Sequence, residues 1–294
     1  MDRNSQWRRF YAECDVATRK GEEISLATGF SEPPIDVFRI LESERQFIRA
    51  VGEDFGESFD GRIRYLGNGF LLCYNTRYNE WLPRGRNRPH SKVLFSIAHE
   101  LGHFYLDEHR ACLVNNRRAH NSFTEFSSHK LIERQADHFA SGLLMPSDLL
   151  RPRINMDNHP DFGRVLDVRK DFDVSLTGLL ARWTQLSDFP CATVVTLNGV
   201  VLFGWVSKAF REIGCYRVRR THKPESRTFR SFVAQNSPVK EYKQKDGYSS
   251  TDYWLEYDQR SFETSELYFA IPHSKLIWVL LTCDEGELCG KEYD

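Results

Sequence analysis

Apolar positions along the chain follow two regimes. Up to about residue 186 they recur mainly at three- and four-residue steps, and from Cys191 onward they gather in short continuous or alternating blocks. The first regime predicts helices and the second strands. The first 30 residues have no clear period and read as a helical or loose arm. Pro33-Pro34 then marks a helix start, and Ile35, Phe38, Leu41, Phe47, Ile48 and Val51 predict one amphipathic helix to about Val51. The runs Gly61–Leu66 and Phe70–Tyr74, split by Gly67-Asn68-Gly69, predict a hairpin and a small antiparallel sheet. Past an arginine- and proline-rich loop, a helix beginning at His90 or Ser91 carries Leu94, Ile97, Ala98 and Leu101 on one face. A third helix, Leu131 to about Leu144, shows the stripe Ile132, Ala136, Phe139, Ala140 and Leu143, and Pro146 ends it. Residues 158–186 predict helix, turn, helix, with Asp173 or Ser175 capping the second. The blocks ATVVTL, GVVLF, DYWLEY, ELYFAI and LIWVLLTC predict strands.

These elements describe an α+β protein, and composition changes that picture little. Of 294 residues, 40% are hydrophobic and 28% charged, with a formal net charge of −1, as in an ordinary folded protein. The longest apolar run, Leu276 to Leu281, is far short of the roughly 20 residues that a membrane span needs. The charged N-terminus lacks the apolar core of a signal peptide, so a cytoplasmic location is expected. Seven scattered cysteines with no CxxC pair suit a reducing compartment and predict no cysteine site.

The chemistry sits in the second helix, at His99-Glu100-Leu101-Gly102-His103. Two histidines four residues apart on a helix face can reach one metal ion, while the glutamate beside the first can address its water. A catalytic zinc takes three protein ligands and keeps a fourth position open. Asp107, Glu108, His109, His120, Glu125, His129 and Glu133 are candidates for the third. His109 matches the spacing HExxHxxGxxH except that Leu106 stands where a glycine would let the chain turn back. Glu133 fits better. It lies on the next predicted helix, one turn before Asp137, so one carboxylate can bind metal while the other accepts a ligand histidine's second ring N–H.

The segments IAHELGHFYL and ERQADHFASGLLMPSDLL, including Phe139-Ala140 and Leu143-Leu144-Met145-Pro146, resemble the ImmA/IrrE family of zinc metallopeptidases over roughly residues 33 to 150. The resemblance implies a helical, zincin-like core with zinc ligands His99, His103 and Glu133, catalytic Glu100, and Asp137 supporting a ligand histidine. It implies Zn2+ as the cofactor and a helix-turn-helix repressor as the protein substrate, whose cleavage switches on a stress or mobile-element response. With the hydrophobic pattern it divides the chain into a peptidase domain over 1–150, a helix-turn-helix-like connector over 151–190, and a β-rich domain over 191–294 that the strand pattern places there and for which a GAF-like sensor is the family analogy. The competing expectation is a non-enzymatic regulator that binds DNA or a repressor and uses zinc structurally. Residues 151–190 hold six basic and six acidic side chains, so the electrostatic footprint of a DNA binder is missing there. Further on, residues 208–230 carry eight basic and two acidic residues, and 246–294 eleven acidic and three basic. Interleaved Phe210, Tyr216, Phe229 and Phe232 would suit a nucleic-acid surface, and facing or solvated strands are the expected reading of that division.

Overall fold

The computed structural model describes residues 3–82, 86–116, 120–122, 131–155, 160–236, 241–257, 261–272 and 274–283. Two compact units emerge, one comprising Arg8–Leu150 and Arg169–Ser175, the other Met1–Trp7, Arg151–Val168 and Leu176–Asp294. Among the described residues no helix is long and apolar enough to cross a membrane.

The first unit begins within α1 (Arg3–Ala27, of which Arg8–Ala27 belong here), which is one continuous helix rather than a loose arm. The predicted helix to Val51 divides: α2 (Val37–Ser43) is capped by the Asp36 carboxylate, which accepts from the Phe38 and Arg39 amides, and Ile48–Glu53 forms strand β1. The apolar spacing that suggested a longer helix came from two elements in sequence. After the turn at Glu44–Phe47, Ile48 is buried in sheet pairing. β2 (Gly61–Tyr65) and β3 (Phe70–Asn75) form the expected hairpin, with Gly67 at φ +95° in the turn. A short ribbon follows, β4 (Glu80–Leu82) with β5 (Arg86–Arg88). Then come α3 (Ser91–Tyr105), α4 (Asp107–Asn116), β6 (His120–Ser122), α5 (Leu131–Leu144) and α6 (Ser147–Leu150).

The small sheet has the order β1-β3-β2-β6 and is mixed, because β1 runs parallel to β3 in the register Ile48↔Phe70. This corrects the expected antiparallel sheet. Phe70 meets Phe104 edge-on at 5.3 Å, joining the sheet to α3. α3 and α5 pack against each other, and Leu94, Ile97, Ala98 and Leu101 of the first and Ala136, Phe139, Ala140 and Leu143 of the second are all buried. Fully burying a leucine, isoleucine or phenylalanine contributes about 1.5–3 kcal/mol. α1 approaches α5 so closely that a Cβ on Gly142 would lie 2.2 Å from the Thr18 carbonyl oxygen, and only glycine fits there.

The second unit contains α7 (Phe162–Asp171, of which Phe162–Val168 belong here), α8 (Leu176–Leu186), β7 (Cys191–Leu197), β8 (Val200–Val206), α9 (Lys208–Glu212), α10 (Arg227–Gln235), β9 (Lys243–Ser250), β10 (Glu263–Ala270) and β11 (Leu276–Thr282). Its five strands pair antiparallel in the order β8-β7-β11-β10-β9. Both faces are covered. Trp278 donates to the Thr177 hydroxyl of α8 at 2.9 Å and Phe269 stacks on Phe162, while Ile277, Val279 and Tyr268 share a core with Phe229 and Phe232 of α10. Burial on both faces explains why LIWVLL reads as a continuous apolar run. The expected strand DYWLEY is instead a short 3₁₀ turn and loop with one isolated bridge at Leu255, anchored by buried Trp254. Of the sheet's two outer strands, β9 is polar, and its first four residues are exposed and carry no hydrophobic alternation.

Candidate metal centre

α3 starts where His90 accepts from the Lys92 amide, and Lys92 then ties the helix to the loop before β2. Its ammonium lies 2.9 Å from the buried Asp60 carboxylate and donates to the Tyr78 hydroxyl at 2.9 Å. Burial would lower the Lys92 pKa, but hydrogen bonds to Tyr78 and Asp60 outweigh it and raise it. Asn75 fixes the same loop from the other side, donating to the Gly56 and Phe59 carbonyls at 2.9 and 2.8 Å. These ties set Gly61, the first residue of β2, against Glu100: a Cβ there would approach the carboxylate to 2.7 Å. The contact explains how Glu100 can be fully buried beside a strand.

His99 and His103 lie one turn apart on α3 and are 5% and 1% exposed. Their Nε2 atoms stand 3.1 Å from each other, and Glu133 of α5 brings Oε2 to 3.5 Å from His99 Nε2 and Oε1 to 4.0 Å from His103 Nε2. One ligand atom from each of the three residues lies within 4.8 Å of the others. Tetrahedral zinc with bonds of about 2.0–2.1 Å separates its ligand atoms by roughly 3.3 Å, so this donor set has the right chemistry and nearly the right span. A proton on His99 Nε2 could serve only one of its two neighbours, whereas one cation serves all three. Two histidines and a carboxylate therefore fit a divalent ion such as zinc.

Asp137, one turn after Glu133, accepts from His99 Nδ1 at 3.0 Å, and Arg134 lies 3.8 Å from its other oxygen. Burial alone would lower the His99 pKa. Hydrogen bonds to Asp137 and Glu133, with the charges of Asp137 and Glu100, overcome it and hold the pKa at about 10. Such a field favours a cation.

The other candidate ligands fall elsewhere. Asp107 and Glu108 are exposed, Glu125 and His129 lie outside the described residues, and so does the His120 side chain. Leu106 adopts φ −79° and ψ 116°, so the chain enters α4 without a left-handed turn. His109 consequently meets the far side of His103, Nδ1 to Nδ1 at 3.0 Å, and its Nε2 lies 2.9 Å from Gln135 Oε1. Neither this contact with Gln135 nor the backing by Gly61 left a signal in the sequence, because both depend on separate elements meeting in the fold. The Tyr105 hydroxyl, another group near the end of α3, donates to Glu44 at 2.8 Å.

Comparison with known proteins adds a family to this geometry. No curated protein matches the chain. Residues 78–184, less than half of the chain, match the family described as the IrrE N-terminal-like domain of the M78 peptidases, and that span covers α3, α4 and α5 and reaches into α8. The chain thus carries a metallopeptidase domain of the ImmA/IrrE family, with the candidate metal site His99, His103 and Glu133 inside it.

Proposed function

We propose that the protein is a zinc-dependent endopeptidase that hydrolyses a peptide bond in a protein substrate, a helix-turn-helix transcriptional repressor, and so switches on a stress or mobile-element response. The observation that carries the reading is the convergence of His99, His103 and Glu133 beside a buried Glu100 in a domain of this family. The choice of a repressor rests on the family resemblance. DNA reading by the helix-turn-helix segment is disfavoured, since α8 is buried from Leu176 to Thr184 and offers no face to a groove.

When bound, zinc supplies a Lewis acid that acidifies water to a pKa of about 7 and polarises the scissile carbonyl. His99 and His103 would hold the ion through Nε2, and Glu133 would hold it through a carboxylate oxygen. Asp137 accepts a hydrogen bond from His99 Nδ1, which would leave the Nε2 lone pair for the ion. Glu100 takes a proton from the attacking water and delivers it to the leaving amine. Gly61 holds that carboxylate in position by leaving it room.

The test is incubation of wild-type, Glu100→Gln and Glu133→Ala protein with the repressor encoded nearest in the genome, with and without zinc. A zinc-dependent fragment from wild type only, with zinc retained in Glu100→Gln and impaired in Glu133→Ala, is the expected result. Cleavage that survives Glu100→Gln would remove Glu100 from its role. Full zinc occupancy in Glu133→Ala together with loss in His109→Ala would overturn the ligand set.

A further inference from the structure

We propose that Gln135 and His109 form a one-directional hydrogen-bond relay that fixes the tautomer of His103, so that both are positioning residues of the metal centre. The inference rests on the metal-binding reading of His99, His103 and Glu133.

The direction follows from the chemistry of the three groups. Gln135 presents Oε1 to His109 Nε2 at 2.9 Å, and a carbonyl oxygen only accepts, so His109 carries its proton on Nε2. Neutral His109 then has a bare lone pair on Nδ1. That atom stands 3.0 Å from His103 Nδ1, which must therefore be the donor. A neutral His103 protonated at Nδ1 leaves Nε2 bare, and Nε2 is the atom 3.1 Å from His99 Nε2 in the candidate site. A reversed chain, begun by the amide nitrogen of Gln135, would put a proton on His103 Nε2 and oppose metal binding.

The surrounding fold supports a specific role for His109. It is 3% exposed, whereas Asp107, Glu108, Arg110, Ala111 and Cys112 around it on α4 are exposed. Gln135 sits on α5 between Glu133 and Asp137, so three alternate positions of that helix serve one centre: one as a ligand, one toward His103 through His109, one toward His99 directly. The two ligand histidines are supported unequally. His99 donates to a carboxylate, while His103 meets a second imidazole that is itself tied to an amide. An amide at the end of the route can orient the ring without itself bringing a negative charge to a region that already contains Glu100, Glu133 and Asp137.

The experiment uses full-length wild type, His109→Phe, His109→Asn, Gln135→Leu and Glu133→Ala. Zinc affinity is measured by chelator competition, and the His103 tautomer is read by nitrogen-15 NMR in zinc-free protein. Removing a partner of this kind weakens metal binding by about 10- to 100-fold, and that loss is expected for His109→Phe, with the His103 proton redistributed over both nitrogens. His109→Asn places an amide oxygen near the former Nδ1 and should restore much of the affinity and the Nδ1-protonated form. Gln135→Leu should fall between wild type and His109→Phe. Unchanged affinity and tautomer in His109→Phe, or His103 protonated at Nε2 in wild type, overturns the relay. If His109→Phe fails to fold, Gln135→Leu and the wild-type tautomer decide. If wild type binds no zinc, or binds it equally well after Glu133→Ala, the metal reading itself fails, and the tautomer separately shows whether the relay exists.

Discussion

Glu133 in the first unit and Glu266 in the second are both drawn largely out of water, and they keep opposite company. Glu266 is fully buried and surrounded by donors: Ser226 at 2.9 Å, Ser249 at 2.5 Å, the Trp254 indole N–H at 2.6 Å, and the Tyr268 hydroxyl. Burial first, and Glu266 second, push the Tyr268 pKa upward and keep that hydroxyl a donor. Glu133 instead faces the Nε2 atoms of His99 and His103, nitrogens whose lone pairs can go to a cation, whether a proton or a metal ion. A carboxylate closed in by hydrogen-bond donors is finished as structure. One that shares its space with other electron-pair donors calls for a cation.

The largest expected effect separates the two environments by activity. Glu100→Gln should reduce cleavage by about 1,000-fold with zinc content unchanged, as loss of a general acid–base group does. Residual activity close to wild type in a cleavage assay would show that Glu100 is a structural carboxylate like Glu266. Next, Glu266→Leu strands the hydroxyls and indole that surround it and should cost about 3 kcal/mol of stability, read from thermal or denaturant unfolding. Zinc bound per folded molecule should stay constant in that variant, and a proportional loss of zinc would undo the contrast.

Gly61→Ala should sharpen the comparison from the catalytic side. The new methyl group would displace the Glu100 carboxylate, and an error of about 1 Å in a reacting group can cost 100-fold in rate. Lower kcat with intact zinc affinity is the expected signature, and an unchanged kcat would mean that Gly61 does not set the position of Glu100. The smallest effect concerns the thiols. Burial pushes Cys191 and Cys215 up to about 12, so an alkylating reagent at pH 8 should spare both in the folded protein and modify exposed Cys112. Rapid labelling of Cys191 or Cys215, located by mass spectrometry, would show that the core of the second unit opens readily.

Much of the metal centre was legible because its signals are local. HExxH spacing, the stripe of α5 and the one-turn separation of Glu133 from Asp137 each lie within one helix, where a period of 3.6 residues maps sequence directly onto space. The same logic misread residues 48–51, where the apolar spacing ran across the boundary between α2 and β1 and imitated one helix. β9 escaped for the opposite reason: an exposed outer strand is stabilised by backbone pairing with β10, and backbone groups leave no trace in a hydrophobic pattern. Gln135 and Gly61 are silent in the sequence because one acts through a histidine from another helix and the other through the absence of a side chain.

The division of the candidate ligands between α3 and α5 has a thermodynamic consequence. A cation bound only when the two helices are docked is linked to folding, and at a free concentration 1,000 times its dissociation constant it adds about 4 kcal/mol to the native state. The melting temperature of the first unit thereby becomes a gauge of metal loading, readable without any substrate. Cellular zinc supply could set the lifetime of the protein through the same two helices that hold Glu100 and Glu133.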